Sequence, residues 1–236
     1  MDKAYHVPGR FTPARFLARP NRFVAEVELE GERVRAHVPT SGRLAELLVP
    51  DANVLVRTDV APGRKTTCDL MLVEKDGTWV SLDSRLPNYL VGQLLRNDAL
   101  PPFTGVSTVR AEFSHAAGRL DFAFTDGNGQ QTLLEVKSVT LVEAGVAMFP
   151  DAPTLRGARH LAELTAAVTE GYRTAVMFVI QREDASVFRP NGRTDPDFAK
   201  ALARAAEAGV EIYAWRCRAE ANSLTLLAPV PVELEG

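Results

Sequence analysis

The stretch that most constrains the fold of this chain is a predicted β-hairpin near its middle. Two apolar runs, at 119–125 and 133–138, flank the sequence Asp-Gly-Asn-Gly at 126–129. Glycine and asparagine supply the positive φ angles that a tight turn needs, so the runs are expected to pair as antiparallel strands. Polar residues inside both strands make this hairpin the first place to look for chemistry.

The hairpin is expected to bring three ionisable side chains together. With the turn centred near residue 128, Asp121 on the first strand lies opposite Glu135 on the second, at a Cβ separation of roughly 5 Å. Lys137 shares a face with Glu135 because the two residues are two positions apart. Alternation along the first strand puts an apolar set on the face opposite Asp121, consisting of Leu120, Phe122 and Phe124.

Opposed carboxylates repel each other unless a cation lies between them, and oxygen ligands suit a hard ion such as Mg²⁺ or Mn²⁺. Beside such an ion, Lys137 could orient an attacking water or stabilise negative charge developing on a phosphate. The alternative is a solvent-facing hairpin in which Glu135 and Lys137 form an ion pair worth at most about 1 kcal/mol. The spacing of these residues alone leaves both interpretations open.

Composition narrows the class of protein. A chain of 236 residues with 46% hydrophobic residues can bury a substantial core, and we expect two domains. The net charge of −3 excludes a general basic field, so any contact with nucleic acid must be local. Cys68 and Cys217 lack metal-site spacing and predict no disulfide framework. Without an apolar signal core or a membrane-length apolar run, the protein is expected to be cytoplasmic.

Residues 1–84 are predicted to form an oligonucleotide-binding (OB) type β-barrel. A basic, proline-containing lead-in precedes short predicted strands at 23–29, 33–38, 54–58, 70–74 and 79–82. About five strands in so short a stretch are typical of a small barrel, whose curved polar face suits a nucleic-acid strand. The residues on it that could contact phosphate are Arg22, Arg43, Arg64 and Lys65, although surface solubility explains them equally well.

Residues 85–236 are predicted to form an α/β domain with a mixed central sheet. Asn88 is a candidate N-cap for a leucine-rich helix that stops at Pro101-Pro102. Thr154 can cap a second helix running to Gly171. The continuous apolar run at 174–181 is typical of a strand buried on both faces, and a helix at 197–208 and a strand at 210–215 follow.

On the second helix, Arg156 and His160 are four residues apart and share a face with Glu163. If this helix packs on the same sheet as the hairpin, its cationic face lies beside the hairpin carboxylates. A solvated helix face is the alternative.

Several segments together resemble the sugar fermentation stimulation protein A (SfsA) family. They include Arg119-Leu120-Asp121-Phe122, the run from Leu134 to Leu141, and Phe149-Pro150-Asp151-Ala152 with Arg156-Gly157 and His160-Leu161. The resemblance implies an OB-like domain joined to a domain similar to PD-(D/E)XK nucleases, and it implies DNA binding. It also implies that Asp121 and Glu135 are metal-binding acids and that Lys137 is the lysine of the nuclease pattern.

One departure from the family concerns a third carboxylate. Gln93 stands in the first predicted helix of this domain where relatives carry an additional Glu, and Glu112 on the following strand is a possible substitute.

Two hypotheses remain. The first is a Mg²⁺- or Mn²⁺-dependent nuclease acting on DNA, with Arg156 and His160 near the phosphate. The second is a non-catalytic DNA-binding regulator, of sugar metabolism genes according to the family's name, that retains a nuclease fold.

Overall fold

The predicted OB-type barrel is present in the N-terminal part of the protein. The computed structural model describes residues 3–61, 63–116 and 118–234. Its first seven strands are β1 Ala4–His6, β2 Phe11–Asn21, β3 Val24–Leu29, β4 Glu32–His37, β5 Asn53–Arg57, β6 Cys68–Lys75 and β7 Thr78–Ser81. Strands β2 to β7 form a sheet in the order β4-β3-β2-β5-β6-β7, and an additional β4–β6 pairing closes it.

The barrel follows the predicted turn chemistry. Asp76 and Gly77, between β6 and β7, have φ angles of 51° and 78°, as a tight two-residue hairpin requires. The apolar residues at 44–48 form a hydrogen-bonded turn in which Leu47 and Leu48 donate to the carbonyl of Leu44. Leu44 and Leu47 are both buried in the barrel core.

The lead-in to the barrel differs from the prediction. Strand β1 does not join the barrel but pairs with β16, Ser223–Pro229, in the sheet of the C-terminal part. Strand β2 was not predicted because it contains Pro13 and Pro20, which argue against a central strand. Pro20 coincides with a register irregularity in the pairing with β3, whereas Pro13 lies beyond the residues that pair with β3 and is opposite Leu55 of β5.

The C-terminal part is built on a mixed seven-stranded sheet in the order β1-β16-β15-β13-β10-β9-β8. Its remaining strands and helices are α1 Leu86–Arg96, β8 Ser107–His115, β9 Gly118–Thr125, β10 Gln131–Val139, β11 Val142–Glu143, β12 Val146–Phe149, α2 Leu155–Thr169, β13 Arg173–Ile180, β14 Val187–Pro190, α3 Pro196–Glu207 and β15 Glu211–Glu220. Strand β13 runs parallel to both β10 and β15, while β8, β9 and β16 pair antiparallel with their neighbours. A small sheet, β11-β12-β14, lies beside it.

Helices cover the two faces of the large sheet. Helix α1 contributes its leucines to one apolar cluster, and α2 and α3 contribute theirs to another. Helix α1, strands β8 to β10, helix α2 and strand β13 follow each other as an α/β domain with a mixed sheet. The predicted barrel followed by an α/β domain is therefore confirmed, and we call the second part the nuclease-like domain after the family resemblance.

The prediction that Leu120, Phe122 and Phe124 lie on one face of the first hairpin strand was wrong for Leu120. Phe122 and Phe124 pack in the cluster with α1, but Leu120 packs in the cluster with α2. The β9–β10 ladder ends at the pair Leu134–Phe122, so Leu120 lies beyond the part of β9 that pairs with β10, although it still pairs with β8. The predicted alternation does not extend to Leu120.

Both cysteines are buried and free. Among the helices of the described residues, none is long and apolar enough to cross a membrane.

Candidate functional site

Strands β9 and β10 pair in the register that the sequence predicts. Leu133 faces Ala123 and Leu134 faces Phe122, and one further step would set Glu135 opposite Asp121. The ladder stops there, and the Oδ2 atom of Asp121 instead accepts a 2.7 Å hydrogen bond from the backbone N–H of Val136. The carboxylate of Asp121 is thus fixed against the strand that carries Glu135 and Lys137.

Glu135 is the most tightly held of the three ionisable residues. Its side chain is 4% exposed, and its Oε1 atom accepts a 2.6 Å hydrogen bond from Nζ of Lys137 and also contacts Nδ1 of His160. Its Oε2 atom is buried and has no hydrogen-bond partner among the described residues. Burial raises the pKa of Glu135, but the hydrogen bond with His160 and the charge of Lys137 bring it below its usual value. The solvent-facing interpretation of the hairpin is therefore excluded.

The pKa of Asp121 is raised by burial and by the carboxylate of Glu135 beside it. Burial and the charge of Glu135 raise the pKa of Asp121 to about 6, although the Val136 N–H and Lys137 act in the opposite direction. Its Oδ1 atom accepts a 2.7 Å hydrogen bond from the side chain of Asn88. The two acids therefore repel each other, as their spacing predicted.

Asn88 reaches Asp121 because it lies inside the first turn of α1. The prediction that Asn88 caps this helix was wrong, since the N-cap is Arg85 and no side chain caps the helix. Pro87 sets a helical φ angle near the start of the helix, so the helix begins before Asn88. The asparagine side chain is left free to bind the carboxylate.

Helix α2 supplies His160 from the opposite side of Glu135. Thr154 caps this helix as predicted, accepting a 3.0 Å hydrogen bond from the N–H of Gly157. His160 is 2% exposed, and Arg156 Nε donates a 3.3 Å hydrogen bond to its Nε2 atom. The prediction that His160 contacts DNA is not supported, because its side chain is buried against Glu135. Arg156 is exposed.

A cleft of about 310 Å³ lies between the barrel and the nuclease-like domain. We define it by the polar side chains that line it, which are Arg22, Thr40, Ser41, Ser84, Lys137, Ser138, Thr140, Asp151 and Thr154. Two of these side chains are cations, six carry a hydroxyl group and one is an acid. Lys137 both lines this cleft and contacts Glu135, whereas Glu135 and Asp121 are not themselves lining residues.

The barrel wall of the cleft, loop 40–43, is held from both sides. Arg19 donates hydrogen bonds to the carbonyls of Gly42, at 2.8 Å, and Arg22, at 2.7 Å, and also to that of Arg43. From the nuclease-like domain, Oδ2 of Asp151 accepts a 2.7 Å hydrogen bond from the N–H of Arg43. A Cβ atom on Gly42 would lie 2.6 Å from that oxygen, so only glycine allows this approach.

The remaining predicted DNA contacts divide into two groups. Arg43 belongs to the loop beside the cleft, and its side chain is exposed. Arg64 and Lys65 do not line the cleft. Arg64 donates a 2.5 Å hydrogen bond to the buried Asp69, to which Arg57 also donates at 2.6 Å, whereas Lys65 is exposed.

Neither Gln93, which replaces the Glu of relatives, nor Glu112, the possible substitute, reaches the site. Gln93 donates a 2.8 Å hydrogen bond to the carbonyl of Ala4 instead, because α1 turns that face towards strand β1. Glu112 lies on β8 next to the strand of Asp121, but its carboxylate is 63% exposed and pairs with Arg119 at 3.0 Å. Within residues 3–61, 63–116 and 118–234, no group of three or more His, Cys, Asp or Glu side chains is arranged to hold a metal ion.

Two positions that shape the site, Arg19 and Asp151, could not be recognised from the sequence. The first stands out there only as part of a basic lead-in, and the second only as part of a family resemblance. Both bind backbone atoms of a loop more than twenty residues away, and such a contact leaves no local pattern. The nearest sequence feature that could draw attention to Asp151 is the dipeptide Phe149-Pro150, which immediately precedes it. The peptide bond of this dipeptide is cis.

The carboxylate oxygens of this site suit a hard divalent cation, and one oxygen in particular needs such a partner. A buried carboxylate oxygen without a partner, Oε2 of Glu135, is costly unless a cation or water satisfies it. The raised pKa of Asp121 marks a second carboxylate in the same field. Two carboxylates are enough for Mg²⁺, which usually keeps several waters and binds through one or two carboxylates.

Comparison with known proteins agrees with this architecture. The profile of the SfsA N-terminal OB domain matches residues 17–82, and that of the sugar fermentation stimulation protein RE domain matches residues 85–223. The sugar fermentation stimulation protein homolog of Moorella thermoacetica is 47% identical, over 97% of this chain and 99% of its own length. The homolog of Desulforamulus reducens is also 47% identical, over 93% of this chain and 91% of its own.

A solved structure extends the similarity to the arrangement of the two domains. The structure of Pyrococcus furiosus SfsA in complex with Ca²⁺ is 30% identical and superposes with a TM-score of 0.87, covering 99% of both chains. The chain therefore belongs to the sugar fermentation stimulation protein (SfsA) family.

Proposed function

We propose that this protein binds DNA and hydrolyses its phosphodiester bonds in a reaction that depends on Mg²⁺ or Mn²⁺. One observation carries the proposal. The carboxylates of Asp121 and Glu135 interact across the hairpin, and Lys137 bonds to Glu135 while lining a cleft between the two domains.

Asp121 and Glu135 would hold the cation, the latter through Oε2. When bound, the cation would neutralise both acids and polarise the phosphodiester. The presence of Ca²⁺ in the Pyrococcus furiosus relative supports a divalent cation, since Ca²⁺, Mg²⁺ and Mn²⁺ all favour carboxylate oxygens.

Lys137 would supply charge at the reacting phosphate. Its ammonium group has three N–H donors, of which one is directed to Oε1 of Glu135 at 2.6 Å. The others are available to the cleft, where they would stabilise the negative charge that develops on the phosphate oxygens. Glu135 thus fixes the position of the amine.

The cleft suits a phosphodiester backbone more than a sugar or an apolar ligand. Hydroxyl groups and cations are the side chains that bind phosphate oxygens in protein–DNA complexes. Arg22 and Lys137 line the cleft, and the exposed Arg43 and Arg156 lie close to its lining residues in sequence. These local cations would offset the chain's net charge of −3.

A second candidate is a DNA-binding regulator that does not cleave. The observation that favours it is that, among the described residues, no group of three or more His, Cys, Asp or Glu side chains is arranged to hold a metal ion. Glu112 pairs with Arg119 and Gln93 bonds to Ala4 instead. Such a protein would keep the cleft and its cationic side chains but would not cleave DNA.

The test compares cleavage and binding on the same DNA. Single-stranded, double-stranded and branched DNA are incubated with wild type, Lys137→Ala and the control Lys200→Ala, in Mg²⁺, Mn²⁺ and EDTA. Lys200 lies on α3, away from the cleft. The nuclease predicts that Lys137→Ala lowers the cleavage rate by at least about 100-fold, while DNA affinity falls only a few-fold.

The outcomes separate the candidates. If wild type binds DNA but cleaves none of the substrates with either metal, the regulator is favoured. Cleavage that Lys137→Ala leaves unchanged would show that the activity comes from another site. Equal Mn²⁺ affinity in wild type and Asp121→Ala, measured by calorimetry, would remove the metal site, because loss of a ligand must weaken a real site.

A further inference from the structure

The buried His160 has different partners on its two ring nitrogens. Nδ1 contacts Oε1 of Glu135, and Nε2 receives a 3.3 Å hydrogen bond from Nε of Arg156. A guanidinium N–H donates and never accepts. The Nε2 atom that it faces must therefore carry a lone pair, which makes Nε2 the acceptor nitrogen of the ring.

The proton arrangement on the other nitrogen follows. A neutral imidazole with an acceptor at Nε2 carries its proton at Nδ1, so Nδ1 donates to Oε1 of Glu135. Nζ of Lys137 lies 2.6 Å from the same oxygen but 3.5 Å from Nδ1, so the lysine also directs its proton to Oε1. Two donors, one from α2 and one from β10, converge on a single carboxylate oxygen.

We propose that His160 is a positioning residue, which together with Lys137 holds Oε1 of Glu135 so that Oε2 alone is presented to the cation. The inference rests on the proposed metal site at Asp121 and Glu135. Oε2 is the oxygen of this carboxylate without a partner among the described residues. The two oxygens are chemically equivalent, so what the donors to Oε1 fix is the plane and direction of the carboxylate, which would otherwise rotate. His160 does this from a position that is 2% exposed.

This role differs from those of a metal ligand and a phosphate contact. A ligand would need a ring nitrogen free for the cation, whereas both nitrogens of His160 are already engaged by Glu135 and Arg156. A phosphate contact would need an accessible ring. Groups that hold a metal ligand from behind commonly change metal affinity by 10- to 100-fold when they are removed.

The first test reads the tautomer of His160 in the wild-type protein. Long-range ¹H–¹⁵N correlation spectra of metal-free protein distinguish a protonated ring nitrogen from one with a lone pair. The His160 signals are assigned by their loss in His160→Asn. A proton on Nδ1 with a lone pair on Nε2 is expected, whereas a proton on Nε2, alone or together with one on Nδ1, overturns the assignment.

The second test measures Mn²⁺ and Ca²⁺ affinity by calorimetry in wild type, His160→Leu and His160→Asn. Leucine fills the space without a donor, while the asparagine amide can place an N–H near the position of Nδ1. We expect affinity at least about 10-fold weaker in His160→Leu and within about threefold of wild type in His160→Asn. DNA binding in EDTA should be the same in all three, which confirms that each variant is folded.

Failure of this inference is distinguishable from failure of the proposed function. Wild-type metal affinity in His160→Leu, or equal losses in the leucine and asparagine variants, overturns the positioning role and leaves the metal site in place. If wild type binds neither cation more tightly than Asp121→Ala does, the metal site itself fails, and the inference fails with it.

Discussion

The carboxylate of Asp151, in the nuclease-like domain, accepts a 2.7 Å hydrogen bond from the backbone N–H of Arg43, in the barrel. This contact fixes one wall of the cleft relative to the other. Breaking it should release loop 40–43 without disturbing either core. We expect Asp151→Ala to increase amide hydrogen exchange at Arg43 and to lower stability by about 1 kcal/mol.

Two further variants isolate the hydrogen bond from the charge. Asp151→Asn removes the charge but keeps an acceptor, so Arg43 should stay largely protected. Gly42→Ala keeps Asp151 but forces its carboxylate away, because the new Cβ would lie 2.6 Å from Oδ2. Equal exchange at Arg43 in wild type, Asp151→Ala and Gly42→Ala would show that the contact does not hold the loop.

Burial and the charge of Glu135 both disfavour the ionised form of Asp121, so the metal-free protein should become more stable once Asp121 loses its charge. The folded-state pKa of Asp121, about 6, lies above that of an unfolded aspartate, about 3.9. Ionisation therefore costs stability increasingly between about pH 4 and 6, and the cost stays constant above that range. Relative to wild type, Asp121→Asn should gain on the order of 2 kcal/mol at about pH 8 and nothing at about pH 3.5.

Thermal unfolding in EDTA across this pH range measures the effect. Added Mn²⁺ should reverse it, stabilising wild type while leaving Asp121→Asn almost unchanged. A stability difference that does not depend on pH would contradict the coupling between the two carboxylates.

Asp69 should stabilise the barrel at neutral pH and lose that effect in acid. Burial raises its pKa, but hydrogen bonds from Arg64 and Arg57 outweigh burial and bring the pKa below its usual value. Its contribution is therefore fully present above about pH 4 and is lost as the pH falls through the lower folded-state value. Asp69→Asn should cost roughly 1 to 3 kcal/mol at about pH 7, and the difference from wild type should narrow below about pH 4.

Urea unfolding between about pH 3 and 7 gives the comparison. Asp51→Asn is the matched control, since Asp51 is 74% exposed and lies 3.6 Å from Arg15. An Asp69→Asn variant as stable as this control at neutral pH would show that the charge of Asp69, bonded to Arg64 and Arg57, does not stabilise the barrel.

DNA affinity should depend on salt through the cations of the cleft. Removing one cation that binds a phosphate reduces the slope of log K against log salt by about 1. Arg22→Ala should produce that change, because Arg22 lines the cleft and is exposed. Arg204→Ala, on α3, should leave the slope at the wild-type value. Fluorescence anisotropy at several salt concentrations would measure both, and a slope unaffected by Arg22→Ala would place the DNA elsewhere.

The elements that could be predicted from sequence are those that local chemistry specifies. The register of β9 and β10 follows from one turn, and the buried strand β13 follows from an unbroken apolar run. The cap at Thr154 and the stop near Gly171 are likewise specified by neighbouring residues.

The rest depends on contacts that are distant in sequence. His160 was assigned to DNA because a helix pattern shows which face it shares with Arg156, but not what packs against that face. Gln93 and Glu112 were considered as ligands because spacing cannot reveal that Ala4 and Arg119 bind them. Strand β1 has only three residues, and nothing near it in sequence indicates that its partner lies more than two hundred residues away.

The pairing of β1 with β16 bears on how this protein is made. A ribosome delivers Ala4–His6 more than two hundred residues before Ser223–Pro229, so the strand that completes the edge of the large sheet must wait until its partner has been made. The barrel, whose strands all lie between residues 11 and 81, has its sequence complete long before that and can fold while β1 is still unpaired. The emerging chain would therefore carry β1 as an open β-strand until β16 has left the ribosome, and a product truncated before β16 would leave that strand exposed to aggregation.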